Sequence, residues 1–364
     1  MNTSRLSEEH SALLAALTSQ IVTALPTWFG AHSKLVSDIP DVRHLKQSFF
    51  IRYAVRTYEG QPKTLLLKIP RKPDIKTLAQ AISATHLAYP TQQEFNSLLT
   101  VAQTFQTINH GAFCQIRPFA YLPAWNAIVM EELPAKALKQ LLLRPRMALG
   151  FAHDWQPLQV AMQRAGEWLR VFHEQLGEGV TAELSPAALQ LELEQELAQL
   201  RQAAPKFITP AWLPPAFAQV ITRIQLRSMS IVTLHGDFNC GNILVMPDGR
   251  VGAIDTKRRQ RGSIYIDLAT LATDPATRKL QVLSQGWFIR SAWLARCQQA
   301  VLQGYFGANA WDEALFRLHS VLAILRKWTL DEETLRATAL AYGLKPLVRR
   351  YFTTLLRRQL TLPT

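Results

Sequence analysis

Apolar positions in the first thirty residues recur at helical intervals. Leu13, Leu14, Leu17, Ile21 and Val22 follow Ser7-Glu8-Glu9, which predicts a capped amphipathic helix. Between 49 and 58 the period becomes two, with Ile51, Tyr53 and Val55 set against Arg52, Ala54 and Arg56, the mark of a half-buried strand. Glu59-Gly60-Gln61-Pro62 predicts a turn, and Thr64 to Ile69 a second strand that carries Lys68 near its end. Thr91 to Ala102 returns to helical spacing, with Glu94 in the first turn. Ala127 to Leu133 reads as a short strand running into Pro134. Beyond it most segments read helical, among them 165–174, 187–200 and 217–226, with Pro210 to Pro215 as a connector.

Period two returns downstream. Ile231 to Leu234 is apolar, Ile243 to Met246 predicts a strand, Pro247-Asp248-Gly249 a tight turn, and Val251 to Ile254 the returning strand. This hairpin has Asn242 at its start and Asp255 at its end, so the two lie side by side at its open end. One amide oxygen and one carboxylate are a hard-oxygen pair suited to Mg²⁺, which keeps positions for phosphate oxygens. Asp237, on the loop before the hairpin, is placed to accept a proton from an incoming hydroxyl.

The series His235-Gly236-Asp237, Asn242, Asp255, Gly262 and Asp267 resembles the signature of the aminoglycoside phosphotransferase and choline kinase-like family, a small-molecule branch of the protein-kinase fold. The resemblance is tight over 232–270 and loose over much of the remainder. It implies an α+β, bilobal protein kinase-like fold, with a β-rich N-lobe over 1–132 and a mostly helical C-lobe over 133–364. It also implies transfer of a phosphoryl group from ATP or GTP to a hydroxyl of a small molecule, with Mg²⁺. Asp237 is then the catalytic base, Asn242 and Asp255 the metal ligands, and Lys68 the phosphate-binding cation held by Glu94. His235 stands in the catalytic loop and braces its backbone, and Asp267 supports that loop through N–H bonds. Met130 lies beside the base, and the Glu131 and Leu133 backbones meet it. Two bland readings stand beside these: Lys68 as a strand-end lysine reaching water, and Glu94 as a helix N-terminal acid favoured by the macrodipole.

Two departures from the family pattern alter the expectation. No glycine-rich phosphate loop precedes the first long strand; the chain reads Leu45-Lys46-Gln47-Ser48-Phe49, so Lys46, Gln47 and Ser48 would have to serve through side chains. After Asp255 the chain reads Thr256-Lys257-Arg258-Arg259-Gln260-Arg261. Lys257, Arg258 and Arg259 beside a γ-phosphate site would repel a polycationic aminoglycoside and suit an anionic sugar or lipid-linked saccharide. The run is similar to the Asp-plus-arginine segment of lipopolysaccharide-core sugar kinases. A solvated basic loop is the alternative.

Composition narrows the classes further. The chain has 364 residues, enough for two cores, 48% hydrophobic residues, and a net charge of +13. That charge favours anionic partners. Nucleic acid is disfavoured as a partner, because no basic patch interleaved with aromatics and no known module is evident. No apolar run is expected to span a membrane, and Glu8, Glu9 and His10 argue against a signal peptide. Cys114, Cys240 and Cys297 are odd in number and far apart, which fits a reducing cytoplasm. Residues 347–358 place apolar and arginine pairs at helical spacing, for packing on the C-lobe or for peripheral contact with an anionic membrane. A protein kinase is disfavoured, since no Phe-Gly follows Asp255 and no Ala-Pro-Glu occurs. A catalytically inactive kinase-like module remains a competing reading, motivated by the missing glycine loop.

Overall fold

The computed structural model describes residues 3–45, 47–108, 110–142, 155–177, 179–226, 228–257, 260–336 and 343–361. Lys46, Arg258 and Arg259 fall outside them. The chain divides into two compact units, one of residues 1–110 and 115–134, the other of 111–114 and 135–364.

The first unit contains α1 (Thr3–Phe29), β1 (Lys34–Leu35), β2 (Asp41–His44), β3 (Ser48–Arg56), β4 (Pro62–Pro70), α2 (Leu78–Ser83), α3 (Thr85–Ile108), β5 (Pro118–Leu122) and β6 (Ala127–Glu132). Its antiparallel sheet runs β1-β3-β4-β6-β5, with β2 also paired to β3. Strand alternation sorts the side chains. Phe49, Ile51, Tyr53, Val55, Leu65, Leu67, Ile69 and Val129 are buried in one cluster with Leu17, Ile21 and Leu25 of α1. The opposite face carries Lys68 with its cross-strand neighbours Phe50 and Ile128, and Leu66 with Met130.

Helix α1 differs from its expectation in one respect. It runs on to Phe29, and Ser11–Phe29 is long and apolar enough, by length and composition, to cross a membrane. The buried face formed by Leu17, Ile21 and Leu25 shows what those apolar residues do in this fold: they cover the sheet.

The second unit contains β7 (Lys136–Ala137), α4 (Leu138–Leu142), α5 (Trp155–Leu176), β8 (Val180–Glu183), α6 (Pro186–Ala203), α7 (Leu213–Ile221), β9 (Ser228–Thr233), β10 (Ile243–Val245), β11 (Val251–Ala253), β12 (Arg261–Ser263), α8 (Ile264–Thr273), α9 (Lys279–Leu283), α10 (Ser291–Phe306), α11 (Glu313–Arg336) and α12 (Lys345–Leu360). A single 3₁₀ turn, Asp274–Thr277, joins α8 to α9. Helix α5 packs on α10, and α11 packs on α6, α8 and α12. Helix α7 begins inside the proline cluster, because Pro214 in its first turn needs no N–H partner there. The apolar face of α12 is buried through Val348, Tyr351, Phe352, Leu355 and Leu356, and Arg349 pairs at 2.8 Å with fully buried Glu332. Of the two readings of 347–358, core packing is the one observed for that face.

Candidate active site

Strand β9 delivers the chain to Leu234, and the loop after it is held almost entirely by main-chain N–H groups. Asp267, one of the most buried carboxylates of the unit, accepts from His235 N–H at 2.6 Å through Oδ2 and from Gly236 N–H at 3.1 Å through Oδ1. His173 of α5 stands 3.2 Å from the same Oδ2, and its other ring nitrogen is 2.9 Å from the Tyr305 hydroxyl. Burial pushes the Asp267 carboxyl up, but its hydrogen bond to His173 and the surrounding donors outweigh that, and its pKa lies below the ordinary value. A second carboxylate, Asp274, accepts from Cys240 N–H at 3.2 Å and is itself held by Arg278 at 2.6 Å. Lys139 N–H donates to the Cys240 carbonyl at 2.8 Å.

The His235 ring does no polar work. It lies among Trp168, Phe172 and Phe238, with centroids 5.1 to 6.0 Å away, and neither ring nitrogen has a hydrogen-bond partner. Burial lowers its pKa, so the imidazole is neutral at physiological pH. Cys240 is also fully buried, and burial raises its thiol well above the usual range. It is therefore an unreactive spectator.

Asp237 faces outward from this braced loop. Asn239 Nδ2 donates to Asp237 Oδ1 at 2.8 Å, and Asn239 Oδ1 accepts from Gly241 N–H at 2.7 Å. The Lys257 ammonium stands 3.8 Å from Asp237 Oδ2. The two carboxylate oxygens are thus differently engaged, one in a neutral hydrogen bond and one facing a cation.

The hairpin forms as its pattern predicts. Ile243 pairs with Ala253 and Val245 with Val251, Gly249 takes φ +83° at the tip, and Arg164 of α5 donates to its carbonyl at 2.5 Å. Gly252 is required because the Cys114 carbonyl occupies the place a Cβ would take; that segment hydrogen-bonds Val251 on both sides. Asn242 Nδ2 donates to the Asp237 carbonyl at 3.0 Å, so this bond engages the amide nitrogen and not the amide oxygen. Asp255 adopts φ +60°, an uncommon conformation for a non-glycine residue. Two main-chain bonds bracket it: Ile254 N–H to the Asn242 carbonyl at 2.9 Å, and Lys257 N–H to the His235 carbonyl at 2.8 Å. Gly236, at φ +80°, permits the second, since a Cβ there would lie 3.2 Å from Lys257 Cβ. Gln260 then accepts from Leu234 N–H at 3.0 Å, and β12 pairs with β9. The basic segment is therefore tied at both ends to the strand and loop that carry Asp237.

Among the described residues no three or more His, Cys, Asp or Glu side chains cluster as a metal site. The donor set at Asn242 and Asp255, one neutral and one charged hard oxygen, fits Mg²⁺ shared with phosphate oxygens rather than a protein-only cage.

In the first unit, Lys68 Nζ pairs with Glu94 Oε1 at 2.7 Å. Helix α3 starts at Thr85, so Glu94 is well inside it rather than in its first turn, and the macrodipole reading of Glu94 falls. Ser48 is buried, and its hydroxyl donates to the Gln47 carbonyl at 2.7 Å. Met130 is buried in β6. The Glu131 N–H is committed to the Arg117 carbonyl at 2.9 Å and its carboxylate to Lys63 at 2.8 Å. Leu133 follows directly after β6. Asn239 and Asp274 were not singled out from the sequence. Asn239 carried one weak signal, an Asn two residues from an Asp in a turn; Asp274 carried none.

The loop is thus braced with its carboxylate outward, beside a hairpin presenting an amide oxygen and a carboxylate. The profile of the phosphotransferase enzyme family matches residues 50–319, and the chain belongs to that family. It has a protein kinase-like fold and is a phosphotransferase, a kinase acting on an alcohol group. Among solved structures it is similar to a choline/ethanolamine kinase family protein from Mesorhizobium loti, with 15% identity, 96% of each chain covered and a TM-score of 0.50. It is also similar to a glucosamine kinase, with 15% identity, 91% of this chain and 92% of that one covered, and a TM-score of 0.51. A glucosamine kinase in complex with glucosamine, ADP and inorganic phosphate aligns at 14% identity over 95% of this chain and 99% of that one, with a TM-score of 0.50. No curated protein sequence matches.

Proposed function

We propose that this kinase moves the γ-phosphoryl group of ATP, or GTP, to a hydroxyl of a sugar or sugar-containing acceptor that carries negative charge. The observation that carries the reading is the Asp237 carboxylate, oriented by Asn239 at 2.8 Å and facing Lys257 at 3.8 Å. In this reading Asp237 orients the acceptor hydroxyl and takes its proton. Asn242 and Asp255 hold Mg²⁺, which when bound offsets charge on the β- and γ-phosphate oxygens. Lys68, positioned by Glu94, binds phosphate oxygens, and the side of β6 bearing Met130, with the Leu133 backbone, receives the base. The protein supplies position and charge, because phosphoryl transfer needs little covalent help. The ADP-bound glucosamine kinase among the similar structures supports a nucleotide co-substrate.

The preference for an anionic acceptor rests on Lys257 and Arg261, which flank a basic run tied to the catalytic strand. A polycationic aminoglycoside would meet like charge there. A phosphorylated or carboxylated sugar, or the head of a lipid-linked saccharide, would not. Arg258 and Arg259 belong to the same reading, as does a location in the cytoplasm, where ATP is supplied.

A catalytically inactive module is the second reading. Ser48, whose hydroxyl is spent on Gln47, favours it by offering no side-chain substitute for a glycine-rich phosphate loop. The two readings separate in one experiment: transfer from labelled ATP and GTP to neutral, cationic and anionic sugars with Mg²⁺. Transfer to anionic acceptors supports the proposal. Transfer to cationic acceptors alone overturns the acceptor class, and Mg²⁺-dependent nucleotide binding with no transfer to any acceptor supports the inactive module.

A further inference from the structure

The loop joining α9 to α10 sets an unusual side chain into solvent. Trp287 is 85% exposed, and Leu280 of α9 and Leu347 of α12 are 49% and 39% exposed. Single exposed apolar residues are ordinary on protein surfaces. The frame around this one is not. Gln285, a non-glycine residue, takes φ +53° and is followed by Gly286 at φ +90°. Left-handed backbone at Gln285 is uncommon, and it persists because the surroundings fix it. Gln285 Nε2 donates to the Val282 carbonyl at 3.0 Å and to the Leu347 carbonyl at 2.9 Å. Trp287 N–H donates to the Ser284 carbonyl at 3.1 Å, and Phe288 N–H to the Ser284 hydroxyl at 3.0 Å. The side chain of Gln281, 1% exposed, closes the far end: it accepts from Ile289 N–H at 2.6 Å and donates to the Ile289 carbonyl at 2.9 Å. The loop is thus laid against the first turn of α12 in a form that holds the indole outward. These bonds fix the backbone at Trp287, so the loop cannot turn that residue inward without breaking several of them.

The surroundings are predominantly basic. No Asp or Glu occurs from Pro275 to Trp311, nor from Thr334 to the end of the chain. Lys279, Arg290 and Arg350 are exposed on the elements that carry Trp287 and Leu347. Asp331, whose carboxyl Lys279 influences, is already paired with Lys327 at 2.9 Å; Glu333 is an exposed acid on that part of α11. Tryptophan on a basic surface is the side-chain combination that settles at the headgroup level of an anionic bilayer, where the indole is part apolar and part hydrogen-bonding.

We infer that the α9–α10 loop and the start of α12 form a docking surface for an anionic lipid bilayer, with Trp287, Leu280 and Leu347 entering the headgroup region and Lys279, Arg290 and Arg350 facing its phosphates. This differs from laying α12 itself on a membrane, since the apolar face of that helix is already buried. The surface has a direct link to the site: Arg278, next to Lys279, holds Asp274, which holds the Cys240 N–H of the catalytic loop. Docking therefore occurs on the element that braces the chemistry, wherever the acceptor comes from.

The test is sedimentation of the full chain with vesicles of phosphatidylcholine alone, and of phosphatidylcholine mixed with phosphatidylglycerol, at low and physiological salt. Binding is expected on the anionic vesicles only and should weaken as salt rises. Each basic residue brought to the surface contributes about fivefold, so Lys279→Ala combined with Arg350→Ala should weaken binding by roughly 25-fold. Trp287→Ala, at an exposed position where folding is not at stake, should weaken it severalfold and abolish quenching of tryptophan fluorescence by brominated lipid. Equal binding to both vesicle types, no binding, or wild-type binding and quenching by Trp287→Ala would each overturn the inference. So would equally tight binding of a soluble polyanion such as heparin that is indifferent to Trp287→Ala, the behaviour of a surface that reads charge alone.

Discussion

Asn239 fixes the orientation of Asp237: its Nδ2 lies 2.8 Å from Asp237 Oδ1, while its own Oδ1 is anchored by Gly241 N–H. The carboxylate is held against free rotation, Oδ2 faces Lys257 at 3.8 Å, and in the proposed mechanism Oδ2 is the oxygen that meets the acceptor hydroxyl. Asp237→Asn should lower turnover by about 10² to 10⁴-fold and leave Mg-nucleotide affinity near wild type. Asn239→Ala keeps the base but frees its rotation, so kcat should fall on the order of tenfold or more with nucleotide KM little changed. Steady-state kinetics read both; near-normal turnover by Asp237→Asn would remove it as the base.

Asp255 brings the only formal charge of the proposed metal pair. Asp255→Ala should abolish Mg²⁺-dependent nucleotide binding, and Asn242→Ala should weaken it less, since an amide brings no net charge. Calorimetry with and without Mg²⁺ decides this, and unchanged binding by the Asp255 variant would place the metal elsewhere.

Lys257 should matter to the acceptor more than to the nucleotide. If the acceptor is anionic, Lys257→Met raises its KM, and so does raising ionic strength, because screening lengths shrink to about 8 Å near physiological salt. A cationic acceptor would show a lowered KM instead. Adding Arg258→Ala and Arg259→Ala should enlarge the effect in the same direction.

Asp267 serves the loop through both oxygens. Asp267→Asn places an amide NH₂ against N–H donors in a buried setting, and the loss should be about 3–5 kcal/mol of stability, read as a lower urea midpoint.

Acid sensitivity should trace in part to His319. This buried ring lies parallel to Tyr265, 6.2 Å between centroids, and burial lowers its pKa from 6.5 to about 3. Its folded pKa is depressed, so the unfolded chain binds the proton first. The contribution to stability is complete above pH 6.5 and is lost as pH falls from there toward 3, by at most about 1.4 kcal/mol per pH unit. His319→Phe should flatten the fall in Tm between neutral pH and mildly acidic pH. An unchanged slope would show that other groups set it.

The hairpin with Asn242 and Asp255 was legible because period-two strands and a Pro-Asp-Gly turn are local signals, and register follows from them. The start of α3 was not: Pro90 resembles a boundary, yet it lies inside the helix, which begins five residues earlier at Thr85. That extension takes Glu94 out of the first turn, where a capping acid would sit, and Glu94 pairs with Lys68. The roles of Asn239 and Asp274 were hidden for another reason. Each acts through a loop backbone whose path is set by tertiary contacts, and no spacing along the chain encodes it. The apolar run at 347–358 was ambiguous because amphipathic spacing is the same for a core face and a membrane face; burial of Phe352 and Leu356 distinguishes them.

The two main-chain bonds that bracket Asp255 have a consequence for control. Ile254 is fastened to Asn242 and Lys257 to His235, so Asp255, the proposed metal ligand, is tied through the main chain to the loop that carries Asp237, the proposed base. Kinases that are switched by swinging the segment after this aspartate need that segment loose. Here such a swing would break both bonds and carry Lys257 away from Asp237. Fastened at these two points, the segment after Asp255 keeps the Lys257 ammonium 3.8 Å from Asp237.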